Sequence, residues 1–260
     1  MLSNNVVINK NKNIGKVIYI VEGDRKEINL LTHIFVNVFD YSVVNVKRKQ
    51  EPIVKYESKT NKNSQVYVVA SKESAIKSIT TGQEYLDAVF AKLTTLYQVD
   101  ATSAAMYYIF DRDPQSNQAE IVKDLVGQLS NARDNDIDAN GLLLISYPSI
   151  EAYVISCFDK NCHKLQVTAQ EAKTLIGTCD YQQNKFSEKD IALATQQMSS
   201  IISQTIGRDL MPTDFDAFKQ INIDLFNEEE SLQQQTGFYK LLSLLSISFL
   251  DLGLIEIENN

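Results

Sequence analysis

Cysteine and histidine are scarce in this 260-residue sequence, and each scarcity removes a class of chemistry. Three cysteines in a chain of this length supply no disulfide framework, which points to a reducing, cytoplasmic setting. Cys157, Cys162, His163 and Cys179 have zinc-binding side chains, but Cys-x4-Cys-His followed by a distant Cys is poor ligand spacing. With only His33 and His163 present, a histidine-based catalytic triad has little material, and His33 reads as a structural residue of an amphipathic helix. No glycine-rich phosphate loop or dinucleotide fingerprint is present, so ATP hydrolysis by the chain itself is not expected. Long apolar runs are missing too. The most apolar stretch, Leu241 to Ile255, carries four polar residues and a glycine, short of the roughly 20 apolar residues a spanning helix needs. No charged-then-apolar leader opens the sequence, so a cytoplasmic protein without membrane contact is expected.

What is present is an ordinary globular composition, 44% hydrophobic and 22% charged, with a net charge of −8. The charge is unevenly placed. Residues 1–64 hold eleven Lys and Arg against six Asp and Glu, leaving −13 for the remaining 196 residues. Such asymmetry can mark a polyanion-binding face, and the plainer alternative is a solvated lysine-rich loop.

Short β-branched runs alternate with amphipathic segments as far as about residue 160. Strands are expected at Val17–Val21, Val43–Val46, Gln65–Val69, Met106–Phe110 and Leu142–Ser146. Helical periodicity covers Arg25–Val38, Gly82–Tyr97 and Ala119–Leu129, and a further helix begins near Pro148. Lys47–Ser64, polar, basic and interrupted by Pro52, reads as an exposed loop or hairpin excursion. The expected fold class is therefore α/β, a mostly parallel sheet with helices on both faces. After a boundary near residue 160, helices are expected at Ala169–Ile176, Glu188–Ile206, Asp214–Phe226 and Gly237–Leu250. This helical C-terminal region could cover the sheet, form a homo-oligomer interface or dock a partner. The Glu228-Glu229-Glu230 run reads as a solvated helix face or loop.

Two expected strands end in carboxylates, Ile20-Val21-Glu22-Gly23 and Ile109-Phe110-Asp111-Arg112-Asp113. Functional groups in an open parallel sheet collect at the carboxyl ends of its strands. If the two strands are neighbours, Glu22, Asp111 and Asp113 converge on one rim, where their mutual repulsion calls for a cation. Oxygen-only donors suit Mg²⁺, or Mn²⁺ in its place. Gly23 would turn the chain and let a phosphate approach the backbone. The structural alternative is that Asp113-Pro114 merely starts a helix.

The run Ile18 to Gly23 followed by a helix, then a strand ending Asp111-Arg112-Asp113, resembles the Toprim domain, which topoisomerases, primases and overcoming-lysogenization-defect (OLD) nucleases share. The resemblance covers roughly residues 14–160. Ile145 to Tyr153, with Pro148 and Glu151, and Glu27 five residues after Glu22, look like RloB-like and abortive-infection Toprim proteins. The sequence departs from the wider pattern at Lys26, where an Asp is usual, at Tyr147 in place of an asparagine, and in having no Glu-Gly after Asp113.

That resemblance implies a Toprim-like (Rossmannoid) catalytic domain and Mg²⁺-dependent phosphodiester cleavage. Asp111 and Asp113 would be metal ligands. Glu22 would be a further ligand or the general acid–base, and Glu151 an added ligand or a group orienting one. Glu27 would contribute to the site or face solvent. The implied substrate is RNA, transfer RNA included, or DNA, and the setting is bacterial anti-phage defence with a separate ATPase sensor as partner. Lys47, Arg48, Lys49 and Lys55 could track a phosphate backbone, and Tyr56 could stack on a base. Two other functions compete: a non-catalytic module binding nucleic acid or protein, and a small-molecule phosphatase or phosphotransferase.

Overall fold

The computed structural model describes residues 5–23, 25–47, 53–70, 82–95, 101, 103–114, 118–133, 141–178, 185–211, 214 and 218–258. The chain begins with β1 (Asn5–Ile8), β2 (Lys16–Val21) and α1 (Lys26–His33), which a π-helical turn over Ile34–Val38 extends. Next come β3 (Tyr41–Lys47), β4 (Ile53–Ser58), β5 (Gln65–Ala70) and α2 (Gly82–Thr95). They are followed by β6 (Ala105–Asp111), α3 (Ala119–Gln128), β7 (Ser130–Asn131), β8 (Gly141–Tyr147) and α4 (Glu151–Phe158). The remainder comprises β9 (Gln166–Val167), α5 (Ala169–Thr178), α6 (Glu188–Ile206) and α7 (Phe218–Thr236). It ends with β10 (Tyr239–Lys240), β11 (Leu242–Ser243), α8 (Leu245–Asp251) and β12 (Ile255–Glu258).

Eight strands form one mixed sheet in the order β11-β8-β6-β2-β5-β4-β3, with β7 beside β8. The central strands β5, β2, β6 and β8 are parallel, whereas β3, β4, β7 and β11 run antiparallel to their neighbours. Val17 to Val21 of β2 have no exposed surface, as expected for an apolar run covered on both faces. Successive residues point to opposite faces, and the aromatic contacts follow that alternation. Tyr19 and Tyr107 stack at 5.3 Å on the face covered by Phe35 of the π-helical turn. Phe249 of α8 packs on Phe35 there, with Tyr153 of α4 against it. On the other face Tyr108 and Phe110 meet Tyr85 of α2. Gly141 starts β8 at φ +129°, with the Tyr108 ring where a Cβ would stand. Among the described residues no helix is long and apolar enough to cross a membrane.

Three expectations need correction. The basic stretch after Lys47 does form a hairpin arm, but not an exposed one: β4 pairs antiparallel with β3 and β5 within the sheet, burying Ile53, Val54, Tyr56 and Ser58. Gly237–Leu250 is no single helix but two short strands and the seven-residue α8. β11 pairs with β8, and residues on both sides of position 160 share the main hydrophobic core, so the C-terminal region covers and completes the sheet. The Glu228–Glu230 run is not solvated as a whole, because Glu229 and Glu230 are buried.

The reason for the burial of Glu230 is Arg112, itself 2% exposed. Its Nε and Nη2 donate to the two oxygens of Glu230 at 2.7 and 2.6 Å. Tyr239 donates to the same carboxylate at 3.0 Å, and the Phe226 ring faces the guanidinium. Nearby, Asn222 of α7 donates to the Leu143 carbonyl of β8 at 2.7 Å. A planar guanidinium meeting a carboxylate through two parallel bonds is the strongest common form of ion pair. Glu230→Ala, which leaves the buried charge alone, should cost about 3–5 kcal/mol of unfolding free energy. Arg112→Met combined with Glu230→Leu should recover most of it. Urea denaturation checks both, and a Glu230→Ala cost below about 1 kcal/mol would mean that the pair does not hold α7 in place.

Candidate functional site

Strands β2 and β6 are parallel neighbours, and the register pairs Val21 with Ile109. Glu22 therefore leaves the end of β2 beside Asp111, the last residue of β6. The backbone N–H of Asp111 donates to Glu22 Oε2 at 3.1 Å. Asp111 Oδ1 in turn accepts from the backbone N–H of Ile150, at the start of α4, at 2.7 Å. Arg112 continues the link to β8 by donating its N–H to the Ser146 carbonyl at 2.9 Å. The ends of three central strands and the entry to α4 are thus joined through two carboxylates.

The site collects negative charge with little water to screen it. Burial pushes the Glu22 carboxyl up to about 7; the bond from Asp111 opposes the shift, and Glu27 and Asp113 add to it by repulsion. Burial also raises Asp111 well above the carboxylate range, and Glu22, Glu27 and Glu151 push the same way. Glu27 is buried, and its carboxylate fills the space where Gly23 has no Cβ. Gly23 thus makes room for Glu27. Glu151 differs. Burial, the largest single influence, acts to raise it, but hydrogen bonds from Lys26, from Ser149 and from its own backbone N–H, with the Lys26 charge, together hold it below its ordinary value. Lys26 Nζ lies 2.6 Å from Glu151 Oε1 and also feels Glu27 and Asp111. The Lys26 ammonium thus stabilises Glu151 and leaves Glu22 and Asp111 raised.

Among the described residues no three His, Cys, Asp or Glu side chains are gathered into a ready-made metal cluster. The donor set nevertheless suits a hard cation: Glu22, Asp111, Asp113 and Glu151 offer only carboxylate oxygens. Oxygens of Asp111, Glu22 and Glu151 are engaged by two backbone N–H groups and by Lys26. An ion held by Glu151 would compete with Lys26 for that carboxylate.

The expected nucleic-acid contacts divide. Tyr56 is fully buried, stacked on Phe35 and bonded to Thr32 through its hydroxyl, so it cannot stack on a base. Lys55 pairs with Glu57 at 2.8 Å and lies over the Tyr67 ring, which commits its charge to the sheet surface. Lys47 ends β3 opposite Ile53, at the same sheet edge as Val21. Arg48 and Lys49 lie outside the described residues. Of the zinc-type grouping, Cys157 and Cys162 are buried free thiols. Cys162 Sγ and His163 Nδ1 both meet Gln197 Oε1; Cys179 lies outside the described residues.

Sequence reasoning missed the cationic part of the site. Lys26 drew notice only as a departure from a pattern, although an amphipathic helix starting beside an acidic strand end is a place for a compensating charge. The chain matches no family model, no curated protein and no solved structure.

Mg²⁺ should raise the melting temperature of the protein, by the equivalent of about 2.7 kcal/mol at 100 times its dissociation constant. Asp111→Asn should abolish that response, and Lys26→Met should enlarge it while lowering stability without metal. An undiminished response in Asp111→Asn would put the ion elsewhere.

Proposed function

We propose that the protein is a Toprim-like, Mg²⁺-dependent nuclease that cleaves phosphodiester bonds in RNA, transfer RNA among the candidates, or in DNA. The observation that carries this reading is the convergence of Glu22 and Asp111 at neighbouring parallel strand ends, with Asp113 two residues on. The ordered sequence motifs around these residues support it independently.

Asp111 and Asp113 would hold the ion, with Glu22 as a further ligand or as the group that moves a proton between water and the leaving oxygen. A bound Mg²⁺ would supply charge stabilisation at the phosphate and an activated water. Asp111 is kept at the sheet edge by Ile150 and by the anchored Arg112 next to it. Lys26, once released from Glu151, would meet the negative charge of the substrate backbone. A role in anti-phage defence and activation by a separate ATPase rest on the sequence resemblance alone.

Labelled total tRNA, mRNA, plasmid and single-stranded DNA, incubated with the protein in Mg²⁺, Mn²⁺ or EDTA, test the proposal. Cleavage should require metal and fall at least about 100-fold in Glu22→Gln and in Asp111→Asn/Asp113→Asn. Cleavage that persists in folded forms of both variants would overturn the assignment. Turnover of a small phosphate ester but of no polynucleotide would favour a phosphatase.

A further inference from the structure

A cavity of about 330 Å³ opens between α1 and α4, beside the carboxylates. Ile150 and Glu151 belong to both: the Ile150 N–H holds Asp111, and both side chains line the cavity. Its walls are apolar, formed by Leu30, Val154 and Phe186, the last stacked on Phe158 at 5.6 Å. Two charged groups reach it, Glu151 and Lys26, and they neutralise each other at 2.6 Å. Lys26 is two-thirds exposed and stands toward solvent.

The other polar groups are Asn29 and His33, on the exposed side of α1. Burial pushes the His33 imidazole below its ordinary value, which favours the neutral ring. Neither side chain has a hydrogen-bond partner among the described residues. The cavity thus combines apolar walls with a neutral amide and a neutral imidazole, each able to donate and to accept. That chemistry suits the edge and faces of a heterocyclic base. It does not suit a phosphate, which needs positive charge, or an ion.

Ligand pockets run from about 300 to 1,000 Å³, so this one, at the lower limit, takes a single ring system. We infer that it is a base-binding subsite, holding one unpaired nucleobase next to the phosphate at the carboxylates. Leu30, Val154 and Phe186 pack against the ring, and Asn29 and His33 read its edge. The inference rests on the nuclease reading and deepens it. A base can enter only after leaving its stack, which favours single strands and loops over continuous duplex.

Saturation-transfer NMR on the full-length protein in EDTA, with the four ribonucleoside 5′-monophosphates, separates binding from cleavage. Ribose 5-phosphate is the base-free control. At least one nucleotide should show transfer to its base protons, and ribose 5-phosphate none. Asn29→Ala and His33→Ala, both at solvent-accessible positions, should each weaken binding about tenfold. Val154→Trp, which fills the cavity, should abolish it. Equal response from ribose 5-phosphate, or binding unchanged in Asn29→Ala and His33→Ala, would overturn the subsite. Base-dependent binding without cleavage of any polynucleotide would keep the subsite and remove the nuclease. Equal cleavage of strands with and without an abasic position beside the cut would keep the nuclease and remove the subsite.

Discussion

The buried ion pair between Arg112 and Glu230 fixes much of the molecule. Arg112 lies between Asp111 and Asp113, and its side chain runs into the interior, where an unpaired guanidinium would be prohibitively costly. Glu230 satisfies it from α7, 118 residues further along the chain. The Tyr239 hydroxyl completes the carboxylate's bonding, and β11 begins three residues later and pairs with β8. The C-terminal region is therefore tied to the strand end that carries the candidate ligands. The Arg112–Glu230 pair thus joins α7 directly to the Asp-x-Asp segment.

The rim on the other side of that anchor has the opposite electrostatic problem. Inside, one cation is matched by one carboxylate. At the edge, Glu22, Glu27 and Asp111 repel one another and Lys26 engages Glu151. The carboxylates are held by backbone N–H groups, which fix their positions without neutralising their charge. On the proposed reading a cation bound here would relieve this desolvated repulsion.

Much of this was legible in the sequence where burial leaves a simple pattern. β2, β6 and β8 are buried on both faces and appear as unbroken apolar runs, and their ends carried Glu22 and Asp111 in plain view. β4 was obscured by Pro52 and the surrounding charge, although Lys55 and Glu57 alternate with buried residues as a half-buried strand requires and pair with each other on the sheet surface. The segment from Gly237 has no readable period, since it contains two-residue strands and a helix buried nearly all round. Glu229 and Glu230 looked solvated because their burial depends on partners that sequence spacing does not reveal. The same holds for the cavity beside the rim, whose lining is drawn from α1, α4, Ile176 of α5 and Phe186, segments far apart in the chain.

The central claim is that the carboxylates of β2 and β6 form a divalent-cation site. Anomalous diffraction from crystals soaked in Mn²⁺ tests it most directly. The account predicts a peak within bonding distance of the Asp111 and Asp113 carboxylates, with Lys26 displaced from Glu151. A well-soaked crystal with no peak at this rim, and with the Lys26–Glu151 contact intact, would contradict it.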